Sequence, residues 1–179
     1  MNSIKIEIAG EQDSEVIREI YQTAFPEEES AMVAKLAVDL LAEKTISEIL
    51  SLVAREIDTT LGHVAFSPVK VEYNESCKAS ILAPLAVHPE HQQKKVGSRL
   101  IESGIEKLKE SGVNIVFVYG DPEFYGKFGF HADTANDFPA PFDLEYPFGW
   151  QALILKDWSD KTTPSATSCV SALSDPDLW

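Results

Sequence analysis

Residues 88–101 read HPEHQQKKVGSRLI, a polar turn running into the start of an amphipathic helix. A helix start carries N–H groups without intrahelical acceptors and the positive end of the helix dipole, so this junction suits a phosphate. Gln92, Gln93, Lys94, Lys95, Val96, Gly97 and Ser98 are the residues such a phosphate would meet. Lys94 and Lys95 add positive charge, although lysines on a turn are commonly just solvated surface. His88 and His91 stand three apart, the spacing that invites a metal reading. The intervening Pro89 and Glu90 read as turn residues and no further ligand is near in sequence, so no metal is expected. Cys77 and Cys169 have no metal-ligand spacing and are assigned no chemistry. His63 and His131 read as structural.

The chain around these residues has 179 positions, 44% of them hydrophobic and 25% charged, which suits one soluble globular domain. No apolar run approaches the roughly 20 residues that cross a bilayer, and the N-terminus has no signal-peptide pattern. No membrane partner and a cytoplasmic location are therefore expected. The formal net charge of −14 argues against nucleic acid as a partner, because phosphate would be repelled. It is compatible with a cationic substrate such as an amine, and equally with plain solubility.

The elements that must position the turn follow from periodicity. Ile4, Ile6 and Ile8 alternate with Lys5 and Glu7 in a first strand. Val16, Ile17, Ile20, Tyr21 and Ala24 form a helical stripe, with Glu11, Asp13 and Glu15 crowding its first turn, where the dipole favours acids. A second helix runs from Glu27 to Ala42. Strands starting at Ile49 and Leu61 follow, with Asp58, Thr59 and Thr60 between them as a hairpin turn. Ser80–Val87 is apolar throughout, as in a central strand, yet holds Pro84, which donates no ladder bond and predicts broken pairing. A helix then runs to a cap at Gly112, a strand VNIVFVYG follows, and Asp121 with Pro122 opens a short helix. The aromatic stretch from His131 to Gly149 reads as a packed loop, before a last strand, WQALILKDW. The order is β α α β β β α β α β, an α/β or α+β domain with a mixed sheet. The expected division is one domain over 1–158 and a Ser/Thr/Pro-rich extension over 159–179, with CVSAL as a candidate edge strand.

Taken together, LAPLAVHPEHQQKKVGSRLI and VYGDPEFYGKFGF resemble the GNAT superfamily of N-acetyltransferases, and within it the predicted acetyltransferases of the YhbS type. The resemblance spans about Ile4 to Leu155. It implies a GNAT-like sheet, mostly antiparallel, flanked by helices and splayed at the central strand, with acetyl-coenzyme A as cosubstrate. Gln92 and Gly97 match the ends of the family's pyrophosphate motif, and Lys95 stands where its middle glycine would be. A residue with ordinary helical dihedrals would still present its N–H there. Leu85, Ala86 and Val87 match the positions that pair with the pantetheine arm and polarise the thioester carbonyl. Tyr125, in the pattern Y-x-x-x-G-F with Gly129 and Phe130, matches the catalytic tyrosine that protonates the leaving thiolate. A phenol is a workable donor to a thiolate.

The resemblance therefore implies transfer of acetyl to a primary amine, small-molecule or protein-borne, by direct attack, and a homodimer is common among relatives. Ser80–Val87 holds no carboxylate to act as base. Glu27–Glu29 or ordered water are the candidates, and His88 offers a minor acid–base role. The competing reading, from a different class, is a non-catalytic acyl-coenzyme A sensor or interaction module.

Overall fold

The structure, a computed structural model, describes residues 3–43, 49–159 and 164–179. The expected division at 158/159 includes residues 1–2, 44–48 and 160–163, which lie outside the described set. Along the chain come β1 (Lys5–Ile8), α1 (Ser14–Ala24), α2 (Glu27–Ala42), β2 (Leu50–Glu56), β3 (Thr59–Val71), β4 (Ala79–Val87), α3 (Val96–Glu110), β5 (Ile115–Tyr119), α4 (Pro122–Tyr125), α5 (Ala132–Ala135), β6 (Trp150–Ile154) and β7 (Thr167–Cys169). The strands form a seven-stranded sheet in the order β1-β2-β3-β4-β5-β6, with β7 paired to β3. β4 and β5 run parallel, whereas β1–β2, β2–β3, β5–β6 and β3–β7 are antiparallel. This is the mixed, mostly antiparallel sheet with flanking helices that the sequence predicts.

The chain packs as two compact units, Met1–Phe66 with Pro84–Ile105, and Ser67–Ala83 with Glu106–Trp179. In the first, the helical spacing of Ile17, Ile20 and Tyr21 turns one face of α1 inward. They pack with Ala34 and Ala37 of α2, Val53 of β2 and Ala86 of β4. Gly104 lets α3 lie directly on a core ring, since a Cβ there would stand 2.1 Å from Cε2 of Phe66. Asp13 does not serve as surface helix-dipole charge. It is 3% exposed, accepts the Gly10 N–H at 2.9 Å and pairs with Arg55 at 2.6 Å. Arg55 also reaches Thr60 at 2.7 Å and Glu7 at 3.0 Å, so the guanidinium ties β1, β2 and β3 to the start of α1. The hairpin turn falls earlier than predicted, on Ile57 and Asp58, because Thr59 and Thr60 already pair with Glu56 and Arg55. Ile57 takes φ 55°, a left-handed conformation that a β-branched residue tolerates poorly.

In the second unit, Phe117 of β5 stacks on Trp150 of β6 with ring centroids 5.0 Å apart, and Phe138 meets Phe117 edge-on. The loop before β6 is packed at Phe138, whose carbonyl accepts the Trp150 indole N–H at 2.8 Å. Tyr146 and Phe148, in contrast, are exposed. The edge strand of the tail is Thr167–Cys169, beginning two residues before CVSAL, and it pairs with Val69–Val71. Trp179 then packs against Tyr119 and Trp150.

Candidate active site

The parallel pairing of β4 with β5 starts at Ala79↔Ile115 and ends at Leu82↔Val118, two residues before Pro84. On the far side of that proline β4 is held by β3. The His88 N–H donates to the Leu61 carbonyl at 2.8 Å, and Gly62 permits close approach, since its Cβ would stand 2.9 Å from the Ala86 oxygen. Backbone groups alternate between the two edges of a strand. With Ala86 and His88 turned to β3, the backbone of Leu85 and Val87 faces the opposite edge. So of the three predicted pantetheine-pairing residues, Leu85 and Val87 offer outward groups and Ala86 does not.

The turn that follows is a 3-10 helix, Pro89–Lys94. Its first residue is a proline that lacks an N–H to satisfy. Gln92 reaches back and donates its side-chain amide to the Val87 carbonyl at 3.2 Å, which fixes the turn to the strand end. Gln92, Gln93, Lys94 and Lys95 are all exposed.

Lys95 does not have helical dihedrals, contrary to the expectation above. Its φ is 58° and ψ 24°, in the left-handed region. This explains why a glycine belongs here: the chain must pass from a 3-10 turn into α3 through a conformation that costs an L-residue about 1–2 kcal/mol. The Lys95 carbonyl then accepts the Arg99 N–H at 3.1 Å, the first bond of α3. The N–H groups of Val96, Gly97 and Ser98 precede that bond and have no intrahelical acceptor. Val96 is buried and anchors the helix start, while Gly97 and Ser98 are half-buried. The left-handed residue thus precedes a helix start whose N–H groups at Gly97 and Ser98 lie in half-buried residues, an arrangement that binds oxyanions. Lys95→Gly is expected to stabilise the fold by about 0.5–1 kcal/mol. Urea unfolding checks this. Calorimetry of the same variant should show coenzyme affinity kept, because the donors are backbone groups.

Tyr125 belongs to the second unit. Asp121 caps α4, accepting the Glu123 N–H at 2.9 Å, and Pro122 follows at the first helical position, as the sequence predicts. The Tyr125 N–H bonds the Asp121 carbonyl at 3.0 Å. Phe124 and Phe130 meet its ring edge-on at 5.0 Å and 6.0 Å. Gly129, the motif glycine, has φ 92° and reverses the chain after the turn. Tyr125 is half-buried as a residue. Enclosure of the phenol, helped by the Asp121 charge, pushes its pKa up to about 12, so it holds its proton at neutral pH.

Two residues that sequence reasoning passed over fix this ring. A Cβ on Gly120 would lie 2.5 Å from Cε2 of Tyr125, so only glycine fits beneath the ring. Gln151, 1% exposed, donates its amide to the carbonyls of Gly120 at 3.1 Å and Gly149 at 3.2 Å, and the Gly120 N–H bonds Gly149 at 3.0 Å. The only sequence signal was a glycine closing a buried strand. Glu27, Glu28 and Glu29 occupy the first turn of α2 and are exposed, so solvated helix-start charge accounts for them. His63 is buried between hydroxyls, a structural placement, and the backbone of His131 bridges to Ala152 of β6.

Comparison with known proteins agrees with this geometry. The sequence profile of the acetyltransferase (GNAT) domain matches residues 5–132. The chain is 36% identical over 139 residues to the uncharacterized N-acetyltransferase YjhQ of Escherichia coli (strain K12), covering 76% of this chain and 75% of that protein. The crystal structure of the GNAT family N-acetyltransferase YhbS from Escherichia coli in complex with coenzyme A superposes with a TM-score of 0.72 at 30% identity, covering 86% of this chain and 81% of that one. A GNAT family acetyltransferase from Brucella melitensis in complex with acetyl-coenzyme A gives 0.74 at 25% identity, covering 97% and 100%. The open helix start behind a left-handed hinge, the strand whose pairing stops before a proline, and these matches lead to one conclusion: the chain belongs to the GNAT family of acetyltransferases.

Proposed function

We propose that this protein transfers acetyl from acetyl-coenzyme A to a primary amine by direct attack. The observation that carries the reading is the open start of α3 behind the left-handed Lys95, where Gly97 and Ser98 offer free N–H groups. In this reading the coenzyme pyrophosphate accepts those N–H groups. The pantetheine amides pair with the outward backbone of Leu85 and Val87, and a backbone N–H of this strand segment polarises the thioester carbonyl. The amine lone pair attacks the carbonyl carbon, the C–S bond breaks, and the thiolate takes the Tyr125 proton. The amine proton leaves to water, since β4 offers no carboxylate. Enclosure holds the Tyr125 phenol in its protonated form, so the proton is available when the thiolate leaves. A small-molecule amine or a protein amine is the acceptor, and the reaction needs no metal.

Calorimetry with acetyl-coenzyme A tests the reading first, with saturable one-to-one binding expected. Thiol release on a panel of primary amines tests turnover, with intersecting initial-rate lines expected for direct attack and parallel lines for a covalent acetyl-enzyme. No binding at millimolar coenzyme overturns the proposal. Binding without thiol release on any amine would instead favour the acyl-coenzyme A sensor, the reading to which the missing strand carboxylate points.

A further inference from the structure

We propose that the turn after β4 carries a site for a divalent transition-metal ion of the zinc class, held by His88, Glu90 and His91. A ring nitrogen of each histidine and a carboxylate oxygen of Glu90 all lie within 4.8 Å of one another. Among the described residues no other group of three or more such side chains meets this spacing. The sequence hides the site, because Glu90 reads as a turn residue and the histidines as a pair without a third ligand. The 3-10 geometry supplies what the sequence does not show. In such a helix residues three apart eclipse one another. The His91 N–H closes on the His88 carbonyl at 2.8 Å and places the two rings with centroids 5.7 Å apart.

The backbone of the site is held in advance. Pro89 restricts its first turn, the Glu90 N–H leans on Nδ1 of His88 at 3.4 Å, and Gln92 is bonded to Val87. A metal therefore orders three side chains and little main chain. Two imidazoles and one carboxylate form a donor set that suits zinc and its neighbours over magnesium or calcium, and it leaves a coordination position for water. A cation already stands at the site: Nζ of Lys94 lies 3.2 Å from Nδ1 of His91. An ammonium has donors only, so it occupies the lone pair that a metal takes. Metal binding displaces Lys94.

The test is calorimetric titration of zinc chloride into the full chain, with a phosphine reductant and no coenzyme. One equivalent is expected to bind saturably. His88→Ala, Glu90→Gln and His91→Ala should each weaken it by more than about tenfold. Lys94→Met, which removes the competing charge, should tighten it. Circular dichroism confirms that each variant is folded. Absence of saturable binding overturns the site, as does zinc affinity unchanged in both histidine variants or weakened in Lys94→Met. Because coenzyme is absent from the titration, none of these outcomes bears on acetyl transfer.

Discussion

Tyr125→Phe is expected to lower kcat for thiol release by about 10²–10⁴-fold, the range a positioned general acid contributes, with coenzyme affinity unchanged. Gly120→Ala should approach this loss without touching the phenol. The new methyl carbon would need to occupy a point 2.5 Å from Cε2 and 3.1 Å from Cδ2 of the ring. Gly120 cannot retreat, because its N–H is held by Gly149 and its carbonyl by the buried Gln151 amide. The ring must therefore move, and a displacement of about 1 Å at a reacting group can cost about 10²-fold. The two changes act on one group, so Gly120→Ala with Tyr125→Phe together should be little worse than Tyr125→Phe alone. Steady-state rates on the best amine of the panel, with calorimetric coenzyme affinity as control, check this. Full additivity in the double variant would show that Gly120 acts through something other than Tyr125.

Acid should unfold this protein from an unusual start, near pH 6.5. His63 is fully buried, with Tyr21 Oη 2.8 Å from Nδ1 and Ser51 Oγ 2.7 Å from Nε2. Hydroxyls either donate or accept, so the neutral ring is satisfied at both nitrogens. Burial of a charge pushes its pKa down to about 3, only partly opposed by the Asp13 carboxylate. The unfolded chain therefore binds a proton that the folded chain refuses. Stability contributed by neutral His63 is fully present above the unfolded value of 6.5 and is lost as pH falls toward 3. The slope approaches about 1.4 kcal/mol per pH unit, large against a total stability of about 5–15 kcal/mol. Asp13 adds a second, more acid step. Burial raises its pKa, but the Arg55 and Gly10 hydrogen bonds and the Arg55 charge more than offset this and leave it lowered, so its contribution is lost only below 3.8. His63→Gln should cost stability at neutral pH and flatten the curve between pH 6.5 and 4. Urea midpoints measured across that range check it, and an unchanged slope in the variant would refute the assignment to His63.

Much of this was legible in the chain because the signals were local. The apolar run with Pro84 inside it announced a central strand whose pairing fails, and the pairing does stop two residues earlier. Asp121 before Pro122 fixed the start of α4, and Gly112 its role as a cap with φ 84°. What stayed hidden depends on contacts between distant segments. Asp13 looked like one more helix-start acid, and only its meeting with Arg55, forty-two residues on, makes it an internal ion. Gly120 and Gln151 mean nothing singly, since their purpose is a backbone position beneath a ring. Lys95 misled in the other direction. Its side chain drew attention as charge, while its backbone angle is what shapes the turn.

The amide of Gln92 on the Val87 carbonyl has a consequence when no coenzyme is bound. A strand edge with free N–H and C=O groups invites pairing with another chain. Here the invitation is brief. The pairing with β5 occupies the edge up to Leu82, and Gln92 takes up the Val87 oxygen at the other end. What remains is the span of a single thin ligand arm, too short to nucleate a ladder with a second polypeptide. In the function proposed above, the edge that would take a pantetheine is thereby guarded against pairing with another chain.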